Sequence, residues 1–200
     1  MSPSKYRVRR IFGGTVKALA KPFIRLNINP TVVTYISLLF AFLAALSLVL
    51  TQNPQLYAIL IFLTGLFDGV DGAVARATGK SSDLGAFSDS VVDKVAEFLI
   101  LLPLAMVFSN VSLLGVSIPL WVVICITSWL LTSYTRSRAA SLGVEDLDVG
   151  LGGRSERLFI LVIFALFGLL HIGLVTVTLM GVGTAVFRYL HYSDALRMFE

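Results

Sequence analysis

The sequence predicts an all-α integral membrane protein. An N-terminal amphipathic helix at the interface precedes six transmembrane helices arranged as three hairpins, with both termini cytoplasmic. Three observations predict it. Of 200 residues, 56% are hydrophobic and 14% charged, and the mean hydropathy is +0.87, too apolar for a water-soluble globule. Three tracts carry no charge, Thr31 to Phe67, Phe98 to Thr135 and Leu158 to Phe187, and each has room for two spans of about 20 residues or slightly fewer. All 16 Lys and Arg and all 12 Asp and Glu lie outside them.

Taken in order, the first element is Met1 to Ile28, which carries Lys5, Arg7, Arg9, Arg10, Lys17, Lys21 and Arg25 and no acid. Ile11, Phe12, Val16, Leu19, Ala20, Phe23 and Ile24 recur at roughly helical spacing, the pattern of a helix lying in the headgroup layer and able to gather anionic lipid. The segment has no continuous apolar core followed by a small-residue cleavage site, so it does not read as a signal peptide. Two regions follow: residues 1–28 as the juxtamembrane helix and 29–200 as the membrane domain. Asn29-Pro30 caps the first span.

Each charge-free tract has a polar break near its middle, at Thr51-Gln52-Asn53-Pro54, Ser109-Asn110 and His171-Ile172-Gly173, and so reads as a helical hairpin. The third tract is short for two spans, and its second helix is expected to run on past Arg188. Because Lys and Arg mark the cytoplasmic side of short loops, the charge map places all ionisable chemistry at the cytoplasmic face of the cell membrane. Topology alone accounts for the basic residues, and no nucleic-acid partner is expected. The carboxylates need another reason, since Asp and Glu contribute little to orientation. Cys125 is the sole cysteine, which excludes an internal disulfide and a cysteine-based metal site. His171 and His191 fall at opposite ends of the last hairpin and do not form a pair.

The carboxylates cluster between the first two tracts. Asp68 and Asp71 are spaced i, i+3 at the inner end of the second span, and Asp89 and Asp93 are spaced i, i+4 at the start of the third, so each pair shares a helix face. Four carboxylates converging at a membrane boundary repel one another and need protons or cations. Hard oxygen donors suit Mg²⁺ or Mn²⁺, and two such ions close together are a recurrent device for displacement at phosphorus. Gly69, Gly72, Ala73 and Ala75 let a bulky ligand approach the backbone or let helices pack tightly. The alternative reading pairs the carboxylates with Arg76, Lys80 and Lys94.

The run reads D-x2-D-G-x2-A-R-x8-G-x3-D-x3-D, with Asp68, Asp71, Gly72, Ala75, Arg76, Gly85, Asp89 and Asp93 at the fixed places. This signature resembles that of the CDP-alcohol phosphotransferase family of integral membrane enzymes. The resemblance implies a six-helix, frequently dimeric fold that takes a CDP-linked lipid, transfers its phosphoryl-containing moiety to a hydroxyl acceptor and releases CMP. It implies that Asp68, Asp71, Asp89 and Asp93 hold two Mg²⁺ ions, or Mn²⁺, that Asp93 is also the general base, and that Gly72 and Arg76 contact the CDP part.

The stretches Asn29 to Thr34, Ser133 to Ala139, Ser155 to Leu158 and Phe187 to His191 resemble those of phosphatidylinositol-phosphate and archaetidylinositol-phosphate synthases. That similarity implies CDP-diacylglycerol or CDP-archaeol as donor and inositol phosphate as acceptor. It also places Thr31, Thr34 and Ser82 at the CDP site and Arg136, Arg157 and Arg188 on the acceptor's phosphate. Arg136 stands where the bacterial enzymes usually carry Lys. Glycerol 3-phosphate as acceptor, with the same machinery, stays open. An ion-coupled transporter is the alternative of another class, against which stand the lack of an internal repeat and the clustering of carboxylates at one boundary.

Overall fold

A computed structural model of the chain describes residues 11–147, 149–150 and 152–197. Lys5, Arg7, Arg9, Arg10 and Asp148 lie outside them. Seven helices follow in order: α1 (Gly13–Arg25), α2 (Pro30–Thr51), α3 (Pro54–Thr78), α4 (Asp83–Val107), α5 (Ile118–Ser141), α6 (Arg154–Leu166) and α7 (Leu170–Arg197). A two-stranded antiparallel ribbon, β1 (Ser112–Leu113) and β2 (Val116–Ser117), sits between α4 and α5.

The boundaries follow local chemistry. Asn29 precedes Pro30 and its side chain accepts from the Thr31 N–H, and Asn53 precedes Pro54 and accepts from Gln55 and Leu56. Each helix thus starts on an Asn cap with Pro at its first position, where the missing N–H costs nothing. Ser82 caps α4 by accepting from Gly85 N–H. Gln52 and Gly79 close α2 and α3 in the left-handed conformation, which favours glycine at the second site.

Four helices, α2, α3, α5 and α7, are long and apolar enough to cross a membrane. The six expected spans divide differently at the other two. α4 has the length, 25 residues, but carries Asp89, Asp93, Lys94 and Glu97. α6 has only 13 residues, about 20 Å at 1.5 Å per residue. It is short because the third hairpin turns at Phe167-Gly168-Leu169, with Gly168 at φ +73°, ahead of the expected His171-Ile172-Gly173. α7 consequently starts early and continues past Arg188 to Arg197, as its tract length required.

The core runs through α2 to α7 and includes Tyr57, Ile61, Ile100, Leu104, Trp129, Leu161 and Leu174. Small residues set the closest crossings. A Cβ on Gly181 of α7 would lie 2.5 Å from Ser128 Oγ and 2.8 Å from Trp129 Cδ1 of α5, so α5 and α7 meet backbone to ring. Outside this core the surface is apolar: Leu39, Phe42, Leu46, Val123 and Leu179 are exposed, as lipid-facing positions are. α1 turns its apolar stripe onto α3, where Val16, Leu19, Ala20, Phe23 and Ile24 pack with Phe67, Val70 and Val74. The apolar stripe that hydrophobic spacing directed at lipid is therefore committed largely to protein, while Lys17, Lys21 and Arg25 remain exposed.

Candidate active site

The end of α3, the first half of α4, the end of α5, the start of α6 and the second half of α7 surround a cavity of about 1070 Å³. Phe12 and Val16 add a wall from the N-terminal segment, with Phe12 set edge-on between Phe62 and Phe159.

Asp68, Asp71 and Asp89 each present a carboxylate oxygen, and these three atoms lie within 4.8 Å of one another. The i, i+3 spacing aims the first two off one face of α3, and the capped start of α4 brings the third across. Thr34 Oγ1 donates to Asp71 Oδ2 at 2.8 Å, fixing that carboxylate from α2. Like charges this close repel by roughly 3 kcal/mol per pair at an effective dielectric constant of about 20. Three converging hard oxygens are the donor set a divalent cation of the Mg²⁺ or Mn²⁺ type takes, so the residues present fit such an ion.

Asp93 lines the same cavity but is engaged differently. Arg154 Nη1 lies 2.6 Å from Asp68 Oδ1 and 2.8 Å from Asp93 Oδ1, and Arg154 Nε lies 3.3 Å from Glu97 Oε1. Glu97 is buried, and both its oxygens also accept from Lys94 Nζ at 2.8 Å. Arg76, Lys80 and Lys94, the partners of the alternative reading, make other contacts. Lys94 binds Glu97, Lys80 Nζ donates to the Asn27 carbonyl, and the Arg76 guanidinium lies over Gly72, where a Cβ would come within 3.2 Å of Nη1. A side chain at position 72 would shift the guanidinium by a few tenths of an ångström.

Arg136, Arg157 and Arg188 all line the cavity. Arg157 is 2% exposed; its Nη1 donates to Thr132 Oγ1 at 3.1 Å, and its guanidinium stacks 4.4 Å from the Trp129 ring centre. Arg188 Nε donates to the Val149 carbonyl at 3.1 Å and its Nη1 to the Thr132 carbonyl. Thr132 therefore orients both arginines, one through its side chain and one through its backbone. Arg136 is exposed at the cavity rim. Such a group of guanidiniums suits a phosphate.

Thr31, Thr34 and Ser82 are outside the cavity lining. Thr34 supports Asp71 and Ser82 caps α4, while Thr31 N–H is bound by Asn29 Oδ1. Sequence reasoning passed over Arg154, Glu97 and Thr132. Glu97 had a signal, because it continues the i, i+4 run of Asp89 and Asp93 by one turn. Arg154 and Thr132 had none, since their partners are remote in sequence.

A family model described as CDP-alcohol phosphatidyltransferase matches residues 27–189. The archaetidylinositol phosphate synthase of Pyrococcus horikoshii is 32% identical over 185 residues, covering 92% of this chain and 93% of that protein. The phosphatidylinositol phosphate synthase of Mycobacterium tuberculosis, crystallised with CDP-DAG bound, superposes with a TM-score of 0.74 at 26% identity over 88% of this chain and 92% of its own. The same protein in complex with manganese and citrate gives a TM-score of 0.74 at 25% identity, covering 88% of each chain.

Proposed function

The chain belongs to the CDP-alcohol phosphatidyltransferase family, and we propose that it transfers the lipid-phosphoryl group of CDP-diacylglycerol or CDP-archaeol to a hydroxyl of inositol phosphate, releasing CMP. The observation that carries this reading is a single cavity that joins a carboxylate cage to a cluster of three arginines. The first suits the pyrophosphate of the donor, the second a phosphorylated acceptor. Names of relatives support the acceptor, and the manganese complex of the mycobacterial protein supports the metal.

Asp68, Asp71 and Asp89, with Asp93, would hold two Mg²⁺ ions, or Mn²⁺. When bound, such ions neutralise the donor's phosphates and the departing CMP. Gly72 and Arg76 flank the CDP part, with Thr31, Thr34 and Ser82 at the α2 and α4 starts beside it. Arg136, Arg157 and Arg188 grip the acceptor's phosphate and turn its hydroxyl toward the β-phosphorus of the donor. Asp93 takes the hydroxyl proton as that oxygen bonds to phosphorus and the phosphoanhydride bond to CMP breaks.

In the cell membrane, α4 and α6 complete six crossings, both termini and the site lie at the cytoplasmic face, and the protein works as a homodimer. The basic N-terminal helix lies at the same face. Release of labelled CMP from CDP-lipid is measured with inositol phosphate, free inositol and glycerol 3-phosphate as acceptors. Turnover is expected with inositol phosphate. Turnover with glycerol 3-phosphate and none with inositol phosphate would overturn the acceptor while leaving the family chemistry intact.

A further inference from the structure

Arg154 opens α6 directly behind Gly152 and Gly153, and its side chain is 16% exposed. One nitrogen, Nη1, sits between Asp68 of α3 and Asp93 of α4 at 2.6 and 2.8 Å. This is where a cation shared by those two carboxylates belongs. The rest of the guanidinium is less well served. Nε lies within ion-pair range of Glu97 but makes no hydrogen bond, and Nη2 is buried without a hydrogen-bond partner among the described residues. Arginines that serve as fixed ties are more often bidentate and satisfied.

Glu97 offers the same guanidinium a second resting place. It lies one helical turn beyond Asp93, is buried, and is itself held by Lys94. The backbone at the head of α6 is pinned, because a Cβ on Gly152 would meet Thr184 Oγ1 at 2.4 Å and the Met180 carbonyl at 3.1 Å. Movement of the charged group therefore falls on the side-chain torsions of Arg154.

The geometry points to Arg154 as the resident cation of the Asp68–Asp93 half of the cage, displaced onto Glu97 when a divalent ion enters there. Asp68, Asp71 and Asp89 take the first ion with Arg154 in place; the ion that also draws on Asp93 competes with the guanidinium. Charge repulsion and competition for the same oxygens act in one direction, so the second ion binds more weakly than the first. This inference rests on the two-ion reading of the site.

The test is Mn²⁺ binding to the purified full-length protein in nanodiscs without substrate, followed by calorimetry and by the electron paramagnetic resonance signal of free Mn²⁺. The wild type is expected to show a tight and a weak class of site. Arg154→Gln should tighten the weak class about tenfold or more, within the usual range for coupled occupants. Glu97→Gln removes the resting place and should weaken it, and the double variant should bind as Arg154→Gln does. A weak class unchanged or weakened in Arg154→Gln would overturn the proposal and make Arg154 an organiser of the cage. If that variant does not survive purification, Arg154→Lys, whose single ammonium on a shorter reach spans the two carboxylates less well, should tighten the weak class by a smaller factor; no tightening overturns the proposal equally. A wild type that binds no Mn²⁺ would instead defeat the metal reading beneath it.

Discussion

Thr132→Val isolates the role of a residue that orients an arginine of the cavity. The substitution keeps the side-chain shape but deletes the Oγ1 that accepts from Arg157 Nη1 at 3.1 Å. The backbone carbonyl that receives Arg188 remains. A hydrogen bond to a charged group contributes about 1.5–3 kcal/mol. Arg157 keeps its stacking over Trp129, so the lower figure applies, and about 1.4 kcal/mol corresponds to a factor of ten. If Arg157 holds the acceptor in ground and transition states alike, as proposed, the KM for inositol phosphate should rise about tenfold with kcat little changed. The KM for the CDP-lipid should stay as it was. Steady-state CMP release with each substrate varied in turn reads all three quantities. An unaltered acceptor KM, or a fall in kcat alone, would refute the assignment of Arg157 to the acceptor phosphate.

Asp93→Asn should lower CMP release at least 10²-fold, the usual contribution of a positioned base, while equilibrium binding of CDP-lipid persists; turnover near wild type would remove Asp93 as base. Exhaustive chelation should abolish transfer and added Mg²⁺ or Mn²⁺ restore it, and activity surviving chelation would contradict the role given to Asp68, Asp71 and Asp89. Gly181→Ala places a methyl 2.8 Å from the indole of Trp129, a ring that is fully buried. That overpacking should cost about 1–3 kcal/mol and lower the thermal midpoint by several degrees, and an unchanged midpoint in a thermal melt would show that the α5–α7 crossing can yield.

The parts of the fold that were legible rest on local chemistry. The Asn29-Pro30 and Asn53-Pro54 pairs announce helix starts because cap and proline act within four residues. The aspartate cage was legible because two pairs at helical spacing leave their carboxylates little choice of face. The turn at Gly168 was not, since a single glycine in an apolar run signals less than the polar His171 beside it, although its φ of +73° is what reverses the chain. The ribbon after α4 was hidden similarly: Leu114 and Gly115 both take positive φ, the backbone of a tight hairpin turn, but leucine gives no warning of it. Arg154 could not be assigned to Asp68, Asp93 and Glu97 from sequence, because which helices meet is decided by packing across the whole core. The resemblance places Thr34 and Ser82 at the donor site, and their visible work is local, one steadying Asp71 and the other starting α4.

Arg188 faces both ways. Its side chain borders the cavity, yet it also fastens the loop before α6 by Nε to the Val149 carbonyl while Nη1 reaches the Thr132 carbonyl on α5. A lysine there has one nitrogen to offer two acceptors that approach from different elements. Exchange of the two basic residues, tolerable at the exposed rim where Arg136 stands, is therefore closed at 188, and a chain carrying lysine at that place would need another clasp to keep its loop seated.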